Sequence, residues 1–258
     1  MKNTITKKKG KENNMKVVVA VTLYNCENVI EKCLSSIIGQ TYENFICYIT
    51  DDLSTDNSAK VVEDFIKSTG DNRFRLIKNT EKRYQGGNYD LICRDMPDVD
   101  DEDIVIEVDG DDWLAHGKVF EKVVNLYMSA DVWIANGSFK YSDNRPGFSQ
   151  PVNDLKTLRH GPYTASHLRT WKVFLWRAIK PEDLRDANGN WWTSACDLIF
   201  MYDMFELSGL EHYAFMPEIH YVYNDQNPFN EHKQYMPNIN KMVQFSANKT
   251  PREKLKRK

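Results

Sequence analysis

Four times in the first 130 residues a mostly apolar run is followed by a stretch whose apolar residues recur at helical spacing. The runs cover 16–22, 45–50, 74–77 and 104–108. Runs of this length without alternation suit strands buried on both faces. Between them, Val29, Ile30, Cys33, Leu34, Ile37 and Ile38 mark a helix closed by Gly39, and Val61, Val62, Phe65 and Ile66 mark one closed by Gly70. Ser54, Thr55 and Asp56 offer N-caps for the second. Gly86-Gly87-Asn88 opens a third, to about Arg94, and Val119, Phe120, Val123, Val124 and Tyr127 mark a fourth. Strand–helix alternation requires parallel strands with crossover helices on the faces. The expected fold is therefore α/β: one compact domain built on a Rossmann-like, mostly parallel sheet covered on both sides.

Beyond a strand-like run at 132–135 the pattern loosens. Pro146, Gly147, Pro151, Gly161 and Pro162 make 141–164 loop-rich. A helix is expected over 171–179. Trp191-Trp192-Thr193-Ser194 leads into another helix carrying Leu198, Ile199, Tyr202 and Phe205, and a strand is expected over 219–223. The polar stretch 224–238, with Pro228 and Pro237, reads as a lid or loop.

Charge is distributed unevenly. The net value of −3 combines +5 in residues 1–16, +5 in residues 249–258 and −13 in between. The ends, 1–15 and 247–258, read as basic disordered tails around a body at 16–246. Such tails either keep the chain soluble or draw it weakly to an anionic membrane surface. An acidic body argues against a nucleic-acid-binding face. Five scattered cysteines have neither zinc spacing nor a disulfide pattern, so reduced core thiols in a cytoplasmic protein are expected. The N-terminus lacks the apolar core of a signal peptide, and nowhere are 18 consecutive residues apolar, so no transmembrane segment is expected.

The polar groups at the strand ends carry the chemistry. Thr22 and Tyr24 follow the first run, Asp51 and Asp52 the second, and Asp109-Gly110-Asp111-Asp112 the fourth. In open α/β sheets ligands bind at the carboxyl ends of the strands. Three clustered carboxylates repel one another unless a cation joins them, and Mg²⁺ or Mn²⁺ takes carboxylate and phosphate oxygens. A nucleotide suits the whole set. Tyr24 could cover a base, one carboxylate of Asp51/Asp52 could accept a base N–H, and the later cluster could hold ribose and a metal-bound diphosphate. Singly, each has a plainer explanation: an Asx-type turn, a packing tyrosine, a solvated acidic loop.

Residues 17–25, the helix end at 35–42, the stretch Tyr48-Ile49-Thr50-Asp51-Asp52-Leu53-Ser54-Thr55-Asp56 and Asp109-Gly110-Asp111-Asp112 together resemble family 2 glycosyltransferases of GT-A fold. Leu53 stands where the family usually has Gly. The resemblance covers 16–130, the nucleotide-sugar half, better than 131–246, the acceptor half. It implies transfer of a hexose from a UDP-sugar to a hydroxyl of a glycan or glycoprotein, by one metal-assisted displacement that inverts the anomeric centre. Mn²⁺ or Mg²⁺ is the implied cofactor.

Roles follow from the same resemblance. Thr22, Tyr24 and Asp52 match positions that hold the uridine, and Arg83 or Lys82 a basic residue near the nucleotide. Asp109 and Asp111 match the D-x-D pair, with Asp111 or Asp112 as the direct metal ligand. Asp197 matches the general base at the start of a second-half helix, with Asp203 in reserve. A late histidine often completes the metal site. Here Asn224-Asp225-Gln226 replaces the expected pattern, and His232 is preferred over His220. Trp191 and Trp192 are read as an acceptor platform or as core, and Arg169 as a diphosphate contact or a surface ion pair. Oligomeric state is left open, a homo-oligomer included.

Other readings share parts of the pattern. An aspartyl phosphatase wants its D-x-D on the first strand. A calcium loop counted from Asp109 needs Gly and Glu where Leu114 and Phe120 stand. A sugar-nucleotide nucleotidyltransferase should carry a Gly-rich basic loop where Thr22-Leu23-Tyr24-Asn25 stands. A catalytically inactive nucleotide- or glycan-binding module remains open, because the base is assigned by position alone.

Overall fold

The computed structural model describes residues 15–193, 196–226 and 236–257. Strands β1 (Val17–Leu23), β2 (Phe45–Asp51), β3 (Phe74–Lys78) and β4 (Ile104–Asp109) pair in parallel, in the order β3-β2-β1-β4. Helices α1 (Ile30–Ile38), α2 (Ser58–Thr69) and α3 (Tyr84–Asp95) connect them. After the short β5 (Trp113–Leu114) and α4 (Val119–Ser129), the sheet is extended by β6 (Ile134–Tyr141), β7 (Arg169–Lys172) and β8 (Tyr213–Tyr223). The full order is β3-β2-β1-β4-β7-β6-β8-β5. In the second half β7 runs antiparallel to both β4 and β6, β5 is antiparallel to β8, and β6 and β8 are parallel. Two helices follow β7: α5 (Val173–Arg177) directly and α6 (Asp197–Ser208) further on. The last helix, α7, spans Met236–Asn248.

The apolar runs are continuous because both faces are covered. Val17, Val19 and Val21 pack toward α1 and α4, whereas Val18 and Ala20 pack toward α3, α5 and α6. All five cysteines are buried, none of them in a disulfide. No helix among the described residues is long and apolar enough to cross a membrane.

Three second-half expectations change. Residues 169–172 form a strand, and only Val173–Arg177 are helical. The apolar run at 171–176 looked the same either way; its place between β4 and β6 makes its start extended. β8 begins at Tyr213, six residues earlier than expected. The C-terminal basic segment is not a free tail up to residue 257. Lys249 and Arg252 pair with Asp203 at 2.6 and 3.2 Å, Lys254 pairs with Glu211, and the Leu255 N–H donates to Leu207 O. Its charges are opposed by acids on and just after α6, a complementarity that composition does not reveal. The N-terminal tail lies outside the described residues.

Candidate active site

Register brings the strand tips together. Thr22 is the direct partner of Asp109, and Leu23 of Asp51. The Gly110 N–H donates to Thr22 O at 2.9 Å, and the Asp52 N–H to Leu23 O at 2.9 Å. Gly110 is there for close approach: a Cβ would stand 2.8 Å from Thr22 O. Thr22, Tyr24, Asp52, Asp109, Asp111 and Asp197 all line one cleft of about 820 Å³, a size usual for ligand sites.

Asp51 and Asp52 divide their work. Asp51 Oδ1 accepts the Ser54 N–H, an Asx-type turn. The Asp52 carboxylate accepts the N–H groups of Arg83 (2.8 Å) and Tyr84 (3.0 Å) at the start of α3, and Asn79 Nδ2 at 2.9 Å. Orphan N–H groups at a helix start favour an anion there. Lys82 Nζ lies 3.5 Å from Asp52 and 3.1 Å from the centre of the Tyr24 ring. Of Lys82 and Arg83, it is thus Lys82 that lines the cleft; the Arg83 guanidinium turns to Glu81. Leu53 has φ 62°, the left-handed region, which explains why glycine suits this position.

The acidic turn also splits. Asp109 and Asp111 line the cleft. Asp112 does not reach it: it is buried, with Oδ2 accepting from Tyr221 OH and Oδ1 from the Asn224 N–H, both at 2.7 Å. It anchors the turn to β8 and is no direct metal ligand in this arrangement. Burial and the adjacent Asp111 and Asp109 hold its carboxyl well above the usual range. Asp109 Oδ1 accepts from Gln85 Nε2 (3.0 Å) and Thr22 Oγ1 (3.4 Å). Its carboxyl is pushed up by burial, against the pull of Arg169. The oxygen donors of Asp109 and Asp111 fit a hard divalent cation, and burial without one disfavours the ionised form.

A buried charge network lies behind the turn. Glu107 is on the same strand face as Asp109 and is fully buried. Arg169 donates to both Glu107 oxygens, through Nε at 2.8 Å and through Nη2, and its Nη1 donates to Asp197 Oδ2 at 2.5 Å. Burial pushes Glu107 up to about 7 although Arg169 opposes it. Arg169 is therefore neither a surface pair nor a bare phosphate contact. It ties β4 to the first turn of α6, where Asp197 sits. The earlier signal for Glu107 was its two-residue spacing from Asp109 in an otherwise apolar run.

Other candidates fall away from the cleft. Asp203 is fully buried in a cluster with Arg159, Lys249 and Arg252, so it cannot serve as the reserve base. Trp191 packs on Gly87 of α3, and Trp192 meets Phe245 at a tilt of 51°. His220 pairs with His116 at 3.0 Å, away from the cleft. His232 lies outside the described residues. His167, which sequence reasoning missed, does line the cleft, stacked on Tyr221.

Known proteins resemble this chain in sequence and in fold. A family model described as glycosyl transferase family 2 matches residues 18–195. Glycosyltransferase GlyA of Streptococcus pneumoniae is 33% identical over 196 residues, 66% of this chain and 25% of that protein. The chain spans about a quarter of the length of the curated relatives it matches. S. aureus TarS 1-349 in complex with UDP-GlcNAc aligns with a TM-score of 0.65 at 17% identity, over 93% of this chain and 68% of that one. Mannosyltransferase PcManGT from Pyrobaculum calidifontis, in complex with GDP-Man and Mn²⁺, aligns with a TM-score of 0.54 at 17% identity, over 83% and 57%. The fold is that of the GT-A class. The chain belongs to glycosyl transferase family 2.

Proposed function

We propose that the chain is a metal-dependent inverting glycosyltransferase that moves a hexose from a UDP-sugar to a hydroxyl of a glycan or glycoprotein. The observation that carries this reading is the convergence of Asp52 after β2, Asp109 and Asp111 at the end of β4, and Asp197 at the start of α6 on one cleft. Tyr24 stacks on the base, in the place the Lys82 ammonium holds, and Asp52 accepts its N–H. Asp109 and Asp111 hold Mn²⁺ or Mg²⁺, which supplies neutralising charge for the departing diphosphate. Arg169 fixes one oxygen of Asp197, leaving the other to take the proton of the acceptor hydroxyl as the new bond forms. A single displacement inverts the anomeric centre.

UDP release from UDP-sugars, with Mn²⁺ and acceptor glycans, tests the proposal. Asp197→Asn should keep metal-dependent UDP binding and lose about 10²–10⁴ in transfer rate. Asp111→Ala should lose metal-dependent UDP binding. Full transfer by Asp197→Asn rejects the base, and UDP binding without turnover by the wild type favours the inactive binding module.

A further inference from the structure

We propose that His167 is a nitrogen ligand of the cation held at Asp109 and Asp111, and that it biases the site toward Mn²⁺ over Mg²⁺. The proposal rests on the metal-dependent reading above. A ring nitrogen of His167 and carboxylate oxygens of Glu107 and Asp109 all lie within 4.8 Å of one another. His167 lines the cleft, yet it is only 5% exposed. Its Nδ1 is buried without a hydrogen-bond partner among the described residues. Buried polar atoms in native proteins nearly always have partners, so an orphaned nitrogen on a ring that lies beside carboxylates calls for a ligand.

The three groups are not equivalent. Arg169 holds both oxygens of Glu107, so Glu107 balances the guanidinium rather than binding an ion. That leaves Asp109 and His167 as facing donors, with Asp111 from the same turn. Two donors about 2.1 Å from one ion stand at most about 4.2 Å apart, so a small side-chain movement closes the gap. The ring is already oriented. It stacks on Tyr221 at 4.4 Å with 4° between planes, and on Tyr223 at 5.4 Å. Tyr221 in turn donates to Asp112 and accepts the Asp109 N–H, so ligand and acidic turn are fastened to the same side chain. Imidazole is a poor partner for Mg²⁺, which prefers oxygen, and a good one for transition metals.

Pulsed EPR of the full chain with Mn²⁺ and UDP tests this. The wild type should show a ¹⁴N hyperfine coupling to Mn²⁺. His167→Gln should abolish it and weaken Mn²⁺ binding by about tenfold or more, while Mg²⁺ binding barely changes. A wild-type Mn²⁺ complex without ¹⁴N coupling overturns the proposal and leaves the metal-dependent reading intact. Failure of the wild type to bind Mn²⁺ in the presence of UDP overturns both. His232→Gln is the second variant, decisive should His167→Gln not fold: coupling kept there supports His167, and coupling lost there assigns the ligand to residue 232.

Discussion

Acid should loosen the edge of the sheet beside the acidic turn, through one histidine. His220 on β8 is 2% exposed, and its ring faces His116 at 3.0 Å, with Glu218 at 3.9 Å. Burial, with a smaller push from His116 and Lys122 against the pull of Glu218, lowers its pKa from 6.5 to about 4. The unfolded chain therefore binds more protons than the folded one between those values, so stability falls as pH drops through that window. The full difference, from 6.5 down to about 4, is worth about 3 kcal/mol, and about 2 kcal/mol of it is lost between pH 7 and pH 4.5. His220→Gln cannot titrate. Urea unfolding at the two pH values should show the wild type losing about 2 kcal/mol more than the variant. Parallel losses in both proteins would refute the argument. Beside this ring, the Ala115 N–H donates to His220 O, and Tyr221 and Asn224 hold Asp112, so acid weakens the support of the turn before the core melts.

Three further outcomes follow from the site. Arg169→Met leaves the buried Glu107 uncompensated and should cost about 3–5 kcal/mol in chemical denaturation, with much of the loss recovered by adding Glu107→Gln; additive costs would show that the two side chains do not interact. Leu53→Gly relieves the left-handed strain, less the extra backbone entropy of glycine, for a gain of about 0.5–1 kcal/mol. Calorimetry should read that as a rise of about 1–2 °C in Tm, and a lower Tm would contradict the strain. Gly110→Ala drives a methyl against Thr22 O and should cost about 1–3 kcal/mol, with weaker Mn²⁺-dependent UDP binding by calorimetric titration because the β1 and β4 tips are pushed apart.

Much of the molecule follows from the sequence alone. The first-half strands and helices are written locally, in apolar runs and helical spacing that need no distant partner to be read. The strand-end positions of Thr22, Asp52, Asp109 and Asp111 follow from that pattern, because a parallel sheet aligns its carboxyl ends. Asp197 was legible as an acid opening a helix. Which member of each acidic pair reaches the cleft was not written in the residues themselves: only the family resemblance singled out Asp52, and it left Asp111 and Asp112 both open as the metal ligand. Asp51 and Asp52, or Asp111 and Asp112, differ only in which way a turn directs the carboxylate, and distant groups decide that: the start of α3 for Asp52, Tyr221 and Asn224 for Asp112. The same holds for Arg169, whose partners lie 62 and 28 residues away. Strand 169–172, the docked C-terminal segment and the approach of His167 to Asp109 likewise depend on long-range pairing. Local pattern fixes which elements form, but charge compensation and burial between remote segments exist only once the chain has closed on itself.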